Sequence, residues 1–363
     1  MKILAVGGAM IDTIAIIDSG RIERMTMLNA DNSFLLLEEG RKTEAEEVST
    51  HPGGGGVNAA VAMARLKMDV ALLAKLGNDA RAGAIMARLA QEGVSGRWTL
   101  RDGRAPTGAS VLIASHDRNA AIFTFRGANT LLEVGDLRDE AFAVDVVYIA
   151  NLSNESADCF PAIISRAKAQ HALVAANPGP RQLSARGQPF LESLPAIDIL
   201  VLNRAEADLL VPRLVARFGE GGPGLPLAPG EEAPALAARG FVGGGFEMGI
   251  AAYFRALTQL GPKHVVVTDG AGGAFAASAG EILFAPALKT KVVGTAGAGD
   301  AFAATFVTYA ALARPVEEAL RAATIHAASV VGHVDTQAGL LQRAELDRRL
   351  AQLPSSSVRH WAI

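Results

Sequence analysis

Short apolar runs separated by helix-like segments fill most of the chain, and this alternation restricts the fold more than any other feature. Residues 2–7, 70–74, 145–150, 172–176, 198–202 and 264–268 read as buried strands. Segments 57–66, 79–92, 155–169, 204–211 and 299–313 read as helices. Strands that are apolar throughout have both faces covered, and intervening helices provide the crossovers. The expected architecture is therefore α/β, with a mainly parallel central sheet between two helical layers.

Two segments break the rhythm. Residues 13–50 are polar, with an acidic run at Glu44, Glu46 and Glu47. Residues 107–126 alternate and contain a turn signal at Asp117–Asn119, which is a hairpin pattern. Together they predict a small β lid beside a main domain built from 1–12, 51–106 and 127–363. Residues 216–246 are rich in Gly, Pro and Ala and read as a flexible insertion within that domain.

Composition narrows the function. The 363 residues, half of them hydrophobic, suffice for one large domain with a small appendage. A single cysteine, Cys159, excludes a disulfide framework and a cysteine-based zinc site. A net charge of −3 without a basic stripe gives no reason to expect a nucleic-acid partner. No apolar run is long enough for a membrane span. The N-terminus lacks a basic leader region, so it reads as a first strand and the cytoplasm is the expected compartment.

Three segments have the residues for chemistry. In VVGTAGAGDAFAATF, residues 292–306, a β-type run leads into Gly297, Ala298 and Gly299, then Asp300 and an Ala-rich helix. The first N–H groups of such a helix lack intrahelical partners and form an anion hole. The same field is expected to keep Asp300 ionised, ready to accept a hydroxyl proton in phosphoryl transfer. The plainer reading is an Asp that caps a helix. In HPGGGGVNAAVAMARL, residues 51–66, Gly53 to Gly56 expose backbone N–H groups and Asn58 adds an amide. This is neither a Walker A sequence nor Gly-x-Gly-x-x-Gly, which argues against a dinucleotide-dependent dehydrogenase. Third, Gly7 to Asp12 lie at the end of the first strand, where open α/β sheets bind ligands. Asp12 could accept from sugar hydroxyls or cap a turn.

These segments, in this order, resemble the ribokinase-like (PfkB) carbohydrate kinases over about residues 3–350. PGGGGVNAAVAMARL is similar to the family's N-terminal signature and TAGAGDAFAATF to its C-terminal one. Smaller agreements lie between: the strand pair running into Arg-Gly-Ala-Asn at 126–129, Asn177-Pro178, NRAE at 203–206, and Thr268-x-Gly270 with Gly273. The stretch with His326 and Ala327 resembles the helix near the adenine. The resemblance implies a ribokinase-like three-layer fold with a small β-sheet lid. It implies ATP and Mg²⁺ as cofactors, and a sugar, sugar acid or nucleoside as acceptor. Asp300 would be the base and Gly297, Ala298 and Gly299 the anion hole. Asp12, Gly53, Gly54 and Asn58 would bind the acceptor. Asn203, Thr268, Gly270, Gly273 and His326 would serve the nucleotide, with Glu206 organising Mg²⁺ through water. Lids of this family often pair, which implies a homodimer.

Three departures qualify this. Gly294 stands where many members carry an Asp that helps bind a monovalent cation, which puts that cation in doubt here. Gly55 replaces a lysine that donates to the substrate. Asn151 and Ser153 occupy the region of a substrate-holding glutamate. The alternative is a nucleotide- or sugar-binding protein of the same fold that has lost catalysis.

Overall fold

The computed structural model describes residues 1–18, 23–26, 33–36, 40, 42–114 and 121–363. The chain opens with β1 (Lys2–Val6), β2 (Met10–Ile16), β3 (Glu23–Thr26), β4 (Ser33–Leu36), β5 (Glu47–Gly53), α1 (Gly55–Arg65), β6 (Asp69–Leu76), α2 (Ala80–Gln91), β7 (Ser95–Arg101), β8 (Gly108–Ala114) and β9 (Ala121–Phe125). The middle holds β10 (Val146–Ile149), α3 (Phe160–Ala169), β11 (Leu173–Ala176), α4 (Pro180–Ser184), α5 (Gly187–Ser193), β12 (Ile199–Asn203), α6 (Arg204–Phe218), α7 (Ala235–Arg239), β13 (Phe241–Gly243), β14 (Phe246–Met248) and α8 (Ile250–Gln259). The last third holds β15 (His264–Thr268), β16 (Ala274–Ser278), β17 (Glu281–Ala285), α9 (Ala298–Ala311), α10 (Val316–Val331), α11 (Arg343–Gln352) and β18 (Arg359–Ala362).

Ten strands form the central sheet in the order β18-β17-β16-β15-β12-β11-β10-β1-β6-β7. From β7 to β15 every pairing is parallel; β16, β17 and β18 extend that edge antiparallel. The six strands expected from the apolar runs are β1, β6, β10, β11, β12 and β15. Their side chains split between two cores, as the period of two requires. Ile3 and Ala5 of β1 join the core beneath α1, α9 and α10, whereas Leu4 and Val6 join the core beneath α3, α6 and α8. The α9 helix is buried from Ala301 to Tyr309. Its alanines let it lie close against α1 and α10, so its N-terminus is held rigidly.

The segments expected to form a lid contribute to a second sheet of order β5-β2-β8-β9. It starts earlier and ends later than the sequence suggested, because Met10 already pairs with Gly53 and Gly108. Asp12 is therefore not at the end of the first strand but inside β2. The turn expected at Asp117–Asn119 lies outside the described residues. The 216–246 segment is only in part an excursion. Leu236, Ala237 and Phe241 are buried, and Phe241 stacks on Tyr253 with centroids 3.9 Å apart. Among the described residues no helix is long and apolar enough to cross a membrane.

Candidate active site

The loop before α9 turns through Gly297, whose φ of +79° suits glycine. A side chain here would also collide with Thr336, whose Cβ lies 2.8 Å from the position of an added Cβ. Ala298 and Gly299 form the first turn of α9, and Gly299 borders open space. The Ala298 N–H points back to the Thr295 carbonyl at 3.4 Å. The next two N–H groups of the helix have no intrahelical acceptor. Asp300 occupies the third helical position, and Asn58 Nδ2 donates to its Oδ2 at 2.8 Å. Burial pushes the Asp300 carboxyl above its ordinary value, and the nearby charge of Asp12 adds to this; the Asn58 bond opposes both. The helix field expected to keep this carboxylate ionised is opposed by that desolvation, which acts against the charged form.

Asn58 lies in the second turn of α1. Its amide is oriented from behind: Gln337 Nε2 and Thr336 Oγ1 both donate to its Oδ1, at 3.1 and 3.2 Å. That leaves its NH₂ group for Asp300. Gln337 is itself fixed, since Arg88 donates to its side chain at 2.9 Å and Arg65 to its carbonyl at 3.0 Å. Glu92 pairs with both arginines.

The glycine run makes room for acids. A Cβ at Gly53 would fall 2.0 Å from Asp12 Oδ2, and one at Gly55 would fall 3.4 Å from Asp300 Oδ1. Gly54 takes a φ of +93° against the Gly8 carbonyl. Asp12 is nearly buried and accepts a short hydrogen bond from Ser110. Burial raises its carboxyl and the Ser110 hydroxyl opposes this; Asp335 raises it further and His51 lowers it. His51 Nδ1 and Asp335 Oδ2 are 3.5 Å apart. Asp12, Gly53, Gly54, Asn58 and Asp300 are thus gathered where the second sheet meets the first turns of α1 and α9.

The strand ends on the far side of α9 carry the remaining candidates. Asn203 and Thr268 are register partners at the carboxyl ends of β12 and β15. Asn203 and Glu206 form a capping box: Asn203 Oδ1 accepts from the Glu206 N–H, and Glu206 Oε2 accepts from the Asn203 N–H, both at 2.9 Å. Burial pushes the Glu206 carboxyl up to about 7; the Asn203 N–H opposes this and the charge of Asp300 adds to it. Asn203, Glu206 and Asp300 supply oxygen donors only, which fits a hard, hydrated dication such as Mg²⁺. Gly270, with a φ of +53°, borders open space, whereas Gly273 packs against the Ala285 carbonyl. A cavity of about 470 Å³ opens between the stretch after β17 and α10, lined by Leu288, Ile325, Ala328, Ser329 and His333. Gly294 approaches the His333 carbonyl, linking this cavity to the loop before α9.

His326 departs from its expected place. It is fully buried, and its Nε2 accepts from the Leu341 N–H at 2.8 Å, which puts the ring proton on Nδ1 facing Thr305 Oγ1 at 2.6 Å. Burial holds it neutral, with its value lowered to about 3. Both ring nitrogens are used inside the protein, so α10 reaches the cavity through other residues. Sequence reasoning missed Ser110, Thr336 and Gln337. Asn129, the last residue of the Arg-Gly-Ala-Asn stretch, both donates to and accepts from the Ala9 backbone at 2.8 Å, a role the sequence did not show.

Comparison with known proteins fits this geometry. Residues 20–219 and 235–343 match the model of the pfkB family carbohydrate kinases. Deoxyribokinase of Salmonella typhi is 25% identical over 327 residues, 89% of this chain and 94% of that protein. The ribokinase of Arabidopsis thaliana, solved with ribose and ATP, superposes with a TM-score of 0.68 at 22% identity, covering 96% of this chain and 98% of that one. An Escherichia coli protein solved with ATP and Mg²⁺ gives a TM-score of 0.73 at 16% identity, covering 97% and 99%. The chain belongs to the pfkB family of carbohydrate kinases and is a phosphotransferase with an alcohol group as acceptor.

Proposed function

We propose that the chain transfers the γ-phosphoryl group of ATP to a hydroxyl of a sugar, sugar acid or nucleoside, with Asp300 as general base. The observation that carries this reading is the Asp300 carboxyl, held by Asn58 at 2.8 Å at the start of α9, beside the open first turn at Gly299. The acceptor lies between Asp12 on the lid and Asp300 on the main domain. Its hydroxyl gives a proton to Asp300 as its oxygen attacks the γ-phosphorus. The bond from phosphorus to the bridging oxygen breaks, and ADP leaves. Negative charge on the transferring group is met by the N–H groups of the Gly297–Gly299 turn, chiefly those of Gly297 and Gly299, since the Ala298 N–H points to the Thr295 carbonyl. A carboxyl raised by burial is a stronger base than a solvated one, so its desolvation serves the transfer. Asn203, Glu206 and Asp300 would hold hydrated Mg²⁺, which neutralises phosphate charge when bound. Thr268 and Gly270 face the phosphates, and the cavity beside α10 takes the adenine.

Asp300→Asn tests this. It keeps the shape and the Asn58 contact while removing the proton acceptor. We expect kcat to fall by about 10³-fold or more with an unchanged melting temperature. ADP release measured with Mg-ATP and a panel of sugars, sugar acids and nucleosides reads the effect; undiminished turnover in the variant removes Asp300 from the role.

A further inference from the structure

Among the described residues, Arg126 is a half-buried guanidinium with no carboxylate beside it. It directly follows β9, where the lid returns to the main domain. Its Nη1 donates to Ser153 Oγ at 3.2 Å. Arg65 and Arg88, by contrast, share Glu92. Burial first, and then the like charge of Arg181, disfavour the Arg126 cation. Two guanidiniums near each other, one partly desolvated, are costly unless an anion joins them.

Their place in the fold points at the acceptor. The Arg126 carbonyl accepts from Asn129 Nδ2 at 3.0 Å, and the same amide grips Ala9, three residues before Asp12. Ser153 follows β10, and Arg181 stands in the first turn of α4, which follows β11. The side chain of Asn151 fills the space where Gly179 would carry a Cβ, tying the end of β10 to the turn before Arg181. Ala150, at the same end of β10, meets the space beside Gly55 that Asp300 Oδ1 also borders. Strands β1, β10 and β11 are neighbours in the sheet, so one row of carboxyl ends runs from the Asp12–Asp300 cleft to the arginines.

We propose that the acceptor is a polyhydroxy acid, whose carboxylate pairs with Arg126 and Arg181 while the hydroxyl to be phosphorylated reaches Asp300. This rests on the phosphotransfer reading above. A guanidinium presents parallel N–H groups that match the two oxygens of a carboxylate. Asp12 and Asp300 repel an anionic end, so the ligand is oriented by both ends of the cleft. A neutral sugar leaves the arginines unpaired in a closing pocket. A phosphate monoester offers similar chemistry to the guanidiniums, and the test separates the two.

Isothermal titration calorimetry compares ribose with ribonate, glucose with gluconate, and ribose 5-phosphate, on the wild type and on Arg126→Gln. ADP release with Mg-ATP is followed in parallel. We expect at least one aldonate to bind more than tenfold tighter than its aldose, and Arg126→Gln to reduce that ratio to near one without lowering the melting temperature. Equal binding of acid and aldose, binding of neither, or a preference that survives Arg126→Gln overturns the proposal. Tighter binding of the phosphate ester than of either aldonate overturns the carboxylate assignment. ADP formed with an aldose and with no aldonate sinks this inference and leaves phosphotransfer standing. Arg126-dependent aldonate binding without ADP formation from any acceptor does the reverse.

Discussion

Glu206 and Asp300 belong to different helices, yet the charge of one is felt by the other. The Glu206 value of about 7 lies above its ordinary 4.5, so the fold favours its protonated form. The stability this contributes is complete below about 4.5 and is lost as pH rises through about 7. A dication site needs the opposite form, and the proton must leave before the carboxylate can orient metal-bound water. Mg²⁺ binding should therefore weaken as pH falls below 7, at a fixed saturating level of ATP. Titrating activity with Mg²⁺ at pH 6 and pH 8 checks this, with Glu206→Gln as control. The half-saturating Mg²⁺ concentration should rise at the lower pH in the wild type and hardly move in the variant. Equal requirements at both pH values would remove Glu206 from the metal's shell. Asp300, Glu206 and Asn58 were readable beforehand because each lies in a local signature. Ser110, Thr336 and Gln337 were not, since each meets its partner across about 98 to 279 residues of chain; Thr336 and Gln337 sit in no motif, and nothing local marks Ser110 within its strand pair.

Elements explain how a single amide can aim a base. The α1 helix carries Asn58, α9 carries Asp300, and the turn before α11 brings Gln337 between α1 and α2. Arg65 and Arg88 clamp that turn onto both helices through Glu92. Gln337 Nε2 donates to Asn58 Oδ1 at 3.1 Å and to the Pro52 carbonyl at 2.8 Å, so it orients Asn58 and braces the strand before the glycine run. Gln337→Ala should lower kcat by about tenfold, because the Asn58 amide loses one of its two orienting donors and Thr336 remains. The conservative Gln337→Glu cannot donate to Asn58 Oδ1 when ionised and should be no better. A loss confined to melting temperature would make Gln337 merely structural. Legibility at this scale followed burial. The strands β1, β10 and β15 are apolar on both faces and could be read directly. The antiparallel extension was missed: β16 (AFAAS) is Ala-rich and intrinsically weak, and β18 is defined by pairing with β17 from far along the chain. The half-exposed edge strand β7 (SGRWTLR) also gave no clear run. Asp12 was misplaced for a related reason: Gly7 and Gly8 separate two strands that read as one.

Among the described residues the second sheet has an apolar outer face. Its inner face bears Asp12, Ser110, Ile14 and Leu112, and packs there against Ala296 and Val334. On its other face Val48, Val111, Phe123 and Phe125 are exposed, at 64%, 44%, 56% and 53%. Val111, Phe123 and Phe125 lie together on the neighbouring strands β8 and β9, with Val48 two strands away on β5, and such a cluster marks an interaction surface rather than scattered surface residues. A second copy of the chain is the partner we expect there, since an apolar patch can meet its own copy across a two-fold axis. The chain should accordingly be a homodimer in solution. Light scattering behind size-exclusion chromatography would give twice the chain mass over a wide range of concentration. Val111→Glu combined with Phe123→Glu would place two charges in that contact and should yield monomers of unaltered secondary structure. Because the same sheet carries Asp12 on its inner face, the monomeric variant should also show a raised acceptor KM, as the lid loses the partner that steadies it. A wild type that is monomeric at every concentration would assign the patch elsewhere and free the lid's closure from any dependence on assembly.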